Sequence, residues 1–376
     1  MTSSTLEITP PTDLAPRVRS LAPADFAIPT GREEEWRFVP REAFAQFMDT
    51  HADAGYVTAG SPAAVVAIAE AASTWLPIDR PSAVARAAVS HAVILDIPAE
   101  HESDDPIHLT LSSTGALAYE HVEIRFGNFS KATVIIEQPA DAAICGAVIV
   151  TVGDGAQATV VNVSDAAREH ESMLVWHADL GRDAHFHGTQ VSLGGLHLRI
   201  QPSVAYRSTG GNAQLLGVFL ADDGQFMEHR LFVEHDQPHC TSNVVYKGAL
   251  SGETSHTVWV GDVLVRREAI GIDTYEINRN LLLSDGARAD SVPNLELETG
   301  DIASAGHASA TGRFDDDQLF YLQARGIDEE TARQLVVRGF FADIVSRIPD
   351  AAWQRDIMIR IGARLGVSEA VGDDDE

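Results

Sequence analysis

The sequence predicts a mostly β protein with a right-handed parallel β-helix (solenoid) core, flanked by N-terminal and C-terminal helical domains. Closely spaced β-rich runs fill the central region, turn residues recur there at a rung-like interval, and helical patterning is confined to the two ends of the chain. A β-sandwich is the alternative for the centre. The predicted domains are 1–89, 90–300 and 301–376.

The N-terminal domain is predicted to be small and mostly helical. Proline-marked breaks alternate with Ala-rich segments in which apolar residues recur at helical spacing, at 41–52 and 62–76. We therefore expect two helices there.

The central region consists of short apolar, β-branched runs such as HAVILDI, KATVIIE, ATVVNV and HTVWVGDVLV. Turn sequences rich in Gly and Asp separate these runs at nearly every step. A turn residue followed by Ala opens similar segments at Gly155-Ala156, Asp183-Ala184 and Asn212-Ala213, spaced 28 and then 29 residues apart. A recurring interval of this kind favours a solenoid, in which each rung repeats one unit.

The C-terminal domain is predicted to contain three helices, at 314–326, 328–348 and 350–366. The second has acidic residues in its first turn and apolar residues at core-type spacing, among them Leu335, Phe340 and Ile344. The acidic tail 373–376 is expected to be disordered.

Composition excludes several functions. The chain has 27 Lys and Arg against 55 Asp and Glu, a formal net charge of −28, which argues against a nucleic-acid partner. No run of about 18 apolar residues indicates a membrane helix, and the N-terminus lacks a signal-peptide pattern. We expect a cytoplasmic protein without a membrane partner.

The two cysteines, Cys145 and Cys240, lie in no paired motif, so a disulfide framework or a zinc site built by this chain is not expected. No nucleophile-elbow, zincin, P-loop or dinucleotide motif occurs, and the sequence predicts no enzyme. A β-helix enzyme acting on polysaccharide is the alternative of a different class.

Two groups of histidines are candidate metal ligands. His229, His235, His239 and Cys240 lie close in sequence, but Pro238 indicates a turn, and neighbouring residues on a strand face opposite ways. His185 and His187 share one face of a strand and could form a ladder with His197. In both groups ordinary packing or surface roles are the favoured interpretation.

Three stretches resemble one family, the SufB/SufD proteins of Suf iron–sulfur cluster assembly. They are REEEWRF at 32–38, the run from His235 to Glu298 with YKGAL and WVGDVLV, and GHASATGRFDDDQLFYLQARGI at 306–327. The length and the Glu-Glu-Trp segment resemble SufD more than the longer SufB.

The resemblance implies a noncatalytic scaffold of a SufBCD complex, which pairs with SufB through the β-helix and docks the SufC ATPase through the C-terminal helices. Tyr321, Arg325 and Phe340 are the candidate ATPase contacts. His307 matches the family's functional histidine, a candidate ligand beside a transient Fe–S cluster at the subunit interface. Many members carry Cys where this chain has Ala305, so His307 would act with ligands from the partner.

The resemblance implies that the isolated chain holds no cofactor stably. It leaves open a flavin in the assembled complex and a homodimer of the free chain. A SufB-like homodimeric scaffold that receives sulfur itself is the other alternative, against which the lack of a Cys near His307 argues, since a persulfide needs a thiol.

Overall fold

The fold is a parallel β-solenoid of about 8 turns with helices at its ends, as predicted. The computed structural model describes residues 18–60, 66–314 and 316–365. Each rung contributes one strand to each of two parallel sheets, which face each other across the core.

The first sheet, sheet A, contains β3 (His91–Ile97), β5 (Leu117–Phe126), β7 (Ala143–Val152), β9 (Glu171–Leu180), β11 (His197–Tyr206), β13 (Phe226–His235), β15 (His256–Val265) and β17 (Arg288–Leu297). The second, sheet B, contains β4 (Ile107–Ser113), β6 (Lys131–Glu137), β8 (Gln157–Ser164), β10 (His185–Ser192), β12 (Asn212–Ala221), β14 (Thr241–Leu250), β16 (Asp273–Leu282) and β18 (Ser304–Arg313). At the N-terminal end, β1 (Gly55–Gly60) pairs with β4 and β5, and β2 (Val66–Glu70) pairs antiparallel with β3.

The predicted repeat is real but its register differs slightly. His185 pairs with Gln157 on one side and with Asn212 on the other, so Ala184 and Ala213 are not equivalent positions. Residues paired in register on neighbouring rungs are 26 to 32 positions apart in the sequence, with the longest intervals in the later rungs.

One corner of the solenoid is a stack of residues with left-handed backbone. In each rung the N–H of such a residue donates to a carbonyl of the following rung, which satisfies the turn's backbone groups. Phe129, Asp183 and His239 adopt this conformation, although it is strained for residues other than Gly. The stack runs through Phe129, Gly155, Asp183, Gly210, His239 and Gly271.

The helices predicted for the N-terminal region are wrong where the structure describes them. Residues 41–52 form only turns and a 3-10 helix, Ala45–Phe47, and the 62–76 segment contains strand β2 in place of a helix, with 62–65 outside the described residues. The one α-helix described there is α1, Arg80–Ala88, whose N-cap Asp79 forms a capping box with Ser82.

The Glu-Glu-Trp segment packs this N-terminal region onto sheet A. Trp36 is buried under the Arg199 guanidinium, which lies 4.6 Å from the indole centroid, donates to the Glu35 carbonyl and pairs with buried Glu228. The segment is therefore an anchor between the N-terminal region and the solenoid.

The three C-terminal helices are confirmed as α2 (Asp316–Gln323), α3 (Glu329–Val345) and α4 (Ala351–Arg364). Helices α3 and α4 cover an apolar area on the outer face of sheet B, where Phe341, Ile344 and Ile357 are fully buried. Lys247 on β14 holds α3 against the sheet, since its ammonium donates to the Phe340 carbonyl and pairs with Asp343 at 2.6 Å.

Two details differ from the sequence prediction. Leu335, expected in the core, is 45% exposed. Strand β18 lies beyond residue 300 but pairs along its whole length with β16, so it is the last strand of the solenoid. The acidic tail at 373–376 lies outside the described residues.

Candidate functional site

His307 lies on β18, the last strand of sheet B, and its side chain is 45% exposed. The register places it beside Glu276 of β16, with His307 Nδ1 4.0 Å from Glu276 Oε1. Because strand side chains alternate, His307 and Ala305 lie on the same face of β18, the face that is directed toward the inside of the solenoid. A cysteine at position 305 would therefore stand on the same side of the strand as the imidazole.

Glu276 is the buried counterpart of His307, with a side chain only 1% exposed. Burial first, and then the negative charge of Asp262, raise the pKa of the Glu276 carboxyl to about 8, while the Asn294 backbone N–H acts in the opposite direction. Neither carboxyl oxygen makes a hydrogen bond of normal geometry. A Cβ at Gly261, in the WVGDVLV motif, would collide with this carboxyl and the Trp259 ring, so glycine is required there.

The C-terminal end of the solenoid is polar inside. Asn280 donates to Asn278 at 2.7 Å and to Thr311 at 3.3 Å, and Ser291 donates to Asn278 at 2.9 Å. Among the described residues no further strand pairs with the outer edges of β17 and β18, which leaves their backbone groups on those edges available. His307 thus sits at an open sheet edge above a hydrogen-bonded polar rung.

The His229, His235, His239 and Cys240 group does not converge on one point. His229 bonds to Ser192 and His235 to Ser242, both inside the solenoid, and burial lowers the pKa of each imidazole to about 3. His239 occupies the left-handed corner, as Pro238 indicated. Burial raises the pKa of Cys240 to about 11, so its thiol is not a ready ligand.

The three histidines that could have formed a ladder are also not brought together. His185 and His187 face outward together from β10, but His197 is on β11 in the other sheet, 3.5 Å from Glu171. Within the described ranges no group of three or more His, Cys, Asp or Glu side chains is arranged to hold a metal ion.

The candidate ATPase contacts fall in two environments. Tyr321 on α2 is 55% exposed and carries the Arg325 guanidinium 4.3 Å above its ring. Phe340 is half-buried, packed against the α3–α4 core and under the Lys247 ammonium. Tyr321 and Arg325 are thus exposed at the surface, whereas Phe340 contributes mainly to internal packing.

Sequence reasoning missed two residues near these sites. Phe320, next to Tyr321, is 71% exposed, which is unusual for a large aromatic side chain. Glu276 was missed because a single glutamate in a strand gives no sign of burial. Alternation along β16 gave no usable signal, because it would place the polar face of the strand outside. That face consists of Thr274, Glu276, Asn278 and Asn280.

No helix in the described part of the chain has the length and apolar character needed to span a membrane.

Comparison with known proteins identifies the family. Residues 109–340 match the model of the SUF system FeS cluster assembly, SufBD core domain. The chain is 40% identical over 368 residues to an iron-sulfur cluster assembly SufBD family protein of Mycobacterium bovis, covering 92% of this chain and 91% of that protein. A Mycobacterium leprae SufBD family protein is 41% identical over 362 residues, covering 92% of each. The match to the iron-sulfur cluster assembly protein SufD of Escherichia coli is 29% over 186 residues, half of this chain and 44% of that protein. The chain belongs to the SufBD family of iron–sulfur cluster assembly proteins.

Proposed function

We propose that this chain is a SufD-type, noncatalytic scaffold subunit of a cytoplasmic SufBCD complex. It pairs with SufB through the solenoid, docks the SufC ATPase through its C-terminal helices, and presents His307 to a cluster assembling at the subunit interface. The proposal makes the Fe–S cluster a transient cargo of the complex.

The open end of the solenoid is the observation that carries the proposal. Strands β17 and β18 each have a parallel neighbour on one side only among the described residues, and the inward side of this last rung is polar. A second β-solenoid can add strands to such edges, satisfying backbone groups that a closed end would have capped. His307 would then lie at the junction of the two subunits.

The chemistry of the end fits a shared ligand set. His307 offers an imidazole, a suitable borderline ligand for iron, and Ala305 beside it offers none. Both cysteines are buried, and burial raises the pKa of Cys145 well above its ordinary value. Any thiolates at the interface must therefore come from the partner.

The C-terminal helices support the docking role. Phe320, Tyr321 and Leu335 expose apolar surface on α2 and α3, and the Arg325 guanidinium lies over the Tyr321 ring. Aromatic and arginine side chains dominate the energetics of protein interfaces, so this patch is suited to a protein partner.

The two alternatives are less well supported. A SufB-like homodimer could use the same open end, but receipt of persulfide sulfur requires a thiol, and the cysteines of this chain are buried away from His307. A polysaccharide enzyme is not favoured by membership of an assembly family.

The test is co-expression of the tagged chain with a SufB and a SufC protein, followed by purification and mass measurement. We expect a complex containing all three chains. Recovery of the chain only alone or as a homodimer, at concentrations where SufB and SufC associate with each other, would refute the proposed role.

Point variants are preferable to removal of the helices in this experiment. Without α3 and α4 the apolar outer face of sheet B, including Val161, Val191 and Val218, would be exposed and prone to aggregate. Tyr321→Ala with Arg325→Ala should lose SufC while keeping SufB, which separates the two interfaces.

A further inference from the structure

A groove unrelated to the open end crosses the outer face of sheet B. Its volume is about 480 Å³, within the range of small-molecule sites. The floor comes from three adjacent strands, and the walls from the loop at Ser103 and Asp104 and from Pro349, between α3 and α4.

The floor is a regular array of polar side chains. The register aligns Lys131, Gln157 and His185 in one row, and Thr133, Thr159 and His187 in the next. With strands about 4.8 Å apart, the three-strand floor is roughly 10 Å wide. Farther along the same strands the outward residues become apolar and are covered by α3 and α4, so the helices leave only this polar half open.

Two cationic side chains, those of Lys131 and Arg347, lie at or near the groove. The chain has only two lysines; Lys247 is held by Asp343, whereas Lys131 makes no ion pair with a described residue. Arg347 lies outside the lining but close enough for its charge to act on His187, and it likewise has no ion-pair partner among the described residues. Burial first, and then the charges of His185 and Arg347, lower the pKa of His187. Among the described residues Asp104 is the only carboxylate that lines the groove, and exposed Glu102 pairs in register with Lys131 beside it.

We propose that this groove binds the phosphate group of a small molecule. The Lys131 ammonium and Arg347 guanidinium supply the positive charge, and the imidazole, hydroxyl and amide groups of the floor supply hydrogen-bond donors. The donors at the floor are fixed by the strand register, which suits a ligand with several acceptor oxygens. A nucleic acid is not favoured, because the net charge of −28 repels a polyanion at long range.

The experiment uses the full chain in phosphate-free buffer, with NMR of the imidazole Cε1–H groups and calorimetry. Inorganic phosphate, pyrophosphate and ATP are titrated separately. We expect saturable shifts of His185 and His187, assigned with His185→Asn and His187→Asn, at millimolar or tighter concentrations. Stronger binding of ATP would identify a nucleotide as the source of the phosphate, and equal binding would identify free phosphate.

The double variant Lys131→Gln with Arg347→Gln should bind the best of these ligands at least tenfold more weakly. Arg267→Gln with Arg338→Gln is the matched control, since it removes the same charge from exposed positions outside the groove. Circular dichroism verifies that both variants are folded. Absence of saturable shifts, an equal loss in the control, or tighter binding of a short RNA than of any small ligand would overturn the proposal.

Discussion

Replacing Glu276 by Gln should make the stability of the protein less sensitive to pH. The pKa of the Glu276 carboxyl is raised from 4.5 to about 8, chiefly by burial. The folded state therefore keeps a proton that the unfolded chain has lost between these values. Stability is consequently lost as pH rises through this window, and the loss is complete above pH 8.

The magnitude follows from the shift. One group that holds a proton only in the folded state changes the free energy of unfolding by about 1.4 kcal/mol per pH unit. Across the window this reaches roughly 4 to 5 kcal/mol, with no reduction for solvent screening because the Glu276 side chain is 1% exposed. Glu276→Gln has no charged form, so its stability relative to wild type should rise with pH by this amount.

The assay is urea unfolding of wild type and Glu276→Gln at pH 5, 6, 7 and 8. Glu120→Gln is an informative comparison, because burial raises the pKa of Glu120 only to about 7. The stability of Glu120→Gln relative to wild type should therefore stop rising about one pH unit earlier. Glu169→Gln removes an exposed carboxylate and should show no comparable trend. A Glu276→Gln difference that stays constant from pH 5 to 8 would refute the assignment of a buried, raised-pKa carboxyl beneath His307.

Three further predictions concern the interfaces and the interior. His307→Ala should have a free energy of unfolding within about 0.5 kcal/mol of wild type, yet lower iron and acid-labile sulfide in the purified SufBCD complex by about 10–100-fold. His239→Ala should not lower them, and wild-type cluster content in His307→Ala would disprove the role of His307. Tyr321→Ala should weaken SufC binding by about 2 kcal/mol without loss of stability, whereas Phe340→Ala, at a half-buried position, should destabilise the chain by about 2 to 4 kcal/mol. Calorimetry measures the binding and urea unfolding measures the stability. Loss of stability in Tyr321→Ala, or loss of SufC binding alone in Phe340→Ala, would contradict these roles. Burial lowers the pKa of His229 to about 3, so the stability that depends on its neutral imidazole is lost as pH falls below 6.5. His229→Gln should therefore reduce the loss of unfolding free energy between pH 6.5 and 5 by about 2 kcal/mol. Unchanged pH dependence would show that the imidazole is not buried and neutral.

The solenoid was predictable because its strands carry their own signals. Runs such as KATVIIE and ATVVNV are β-branched and bounded by turns, and they form β6 and β8. The C-terminal helices were predictable for the same reason, since Asp328 and Asp350 cap α3 and α4. The prediction of a helix at 62–76 was wrong because alanine favours helix locally, whereas antiparallel pairing with β3 makes Val66–Glu70 a strand.

The candidate site was predictable only in part. His307 was found through the motif around it, but its surroundings were not. In β16 the usual pattern is inverted, with Glu276 and Asn278 facing inward while Tyr275 is 42% exposed. Alternation alone would assign the apolar residues to the interior, so burial of Glu276 follows from the register of the last rungs and not from composition.

The contact of Lys247 with α3 connects the C-terminal helices to the end of the solenoid through hydrogen-bonded strands. Lys247 pairs in register with Arg279 of β16, which pairs with Ala310 of β18, the strand that carries His307. Two strand spacings, about 10 Å, therefore separate the attachment point of α3 from the last strand. A hydrogen-bonded ladder cannot slip by one residue without turning every side chain to the other face. We therefore expect a displacement of α3 at Lys247 to move β14, β16 and β18 together, without a change in their pairing.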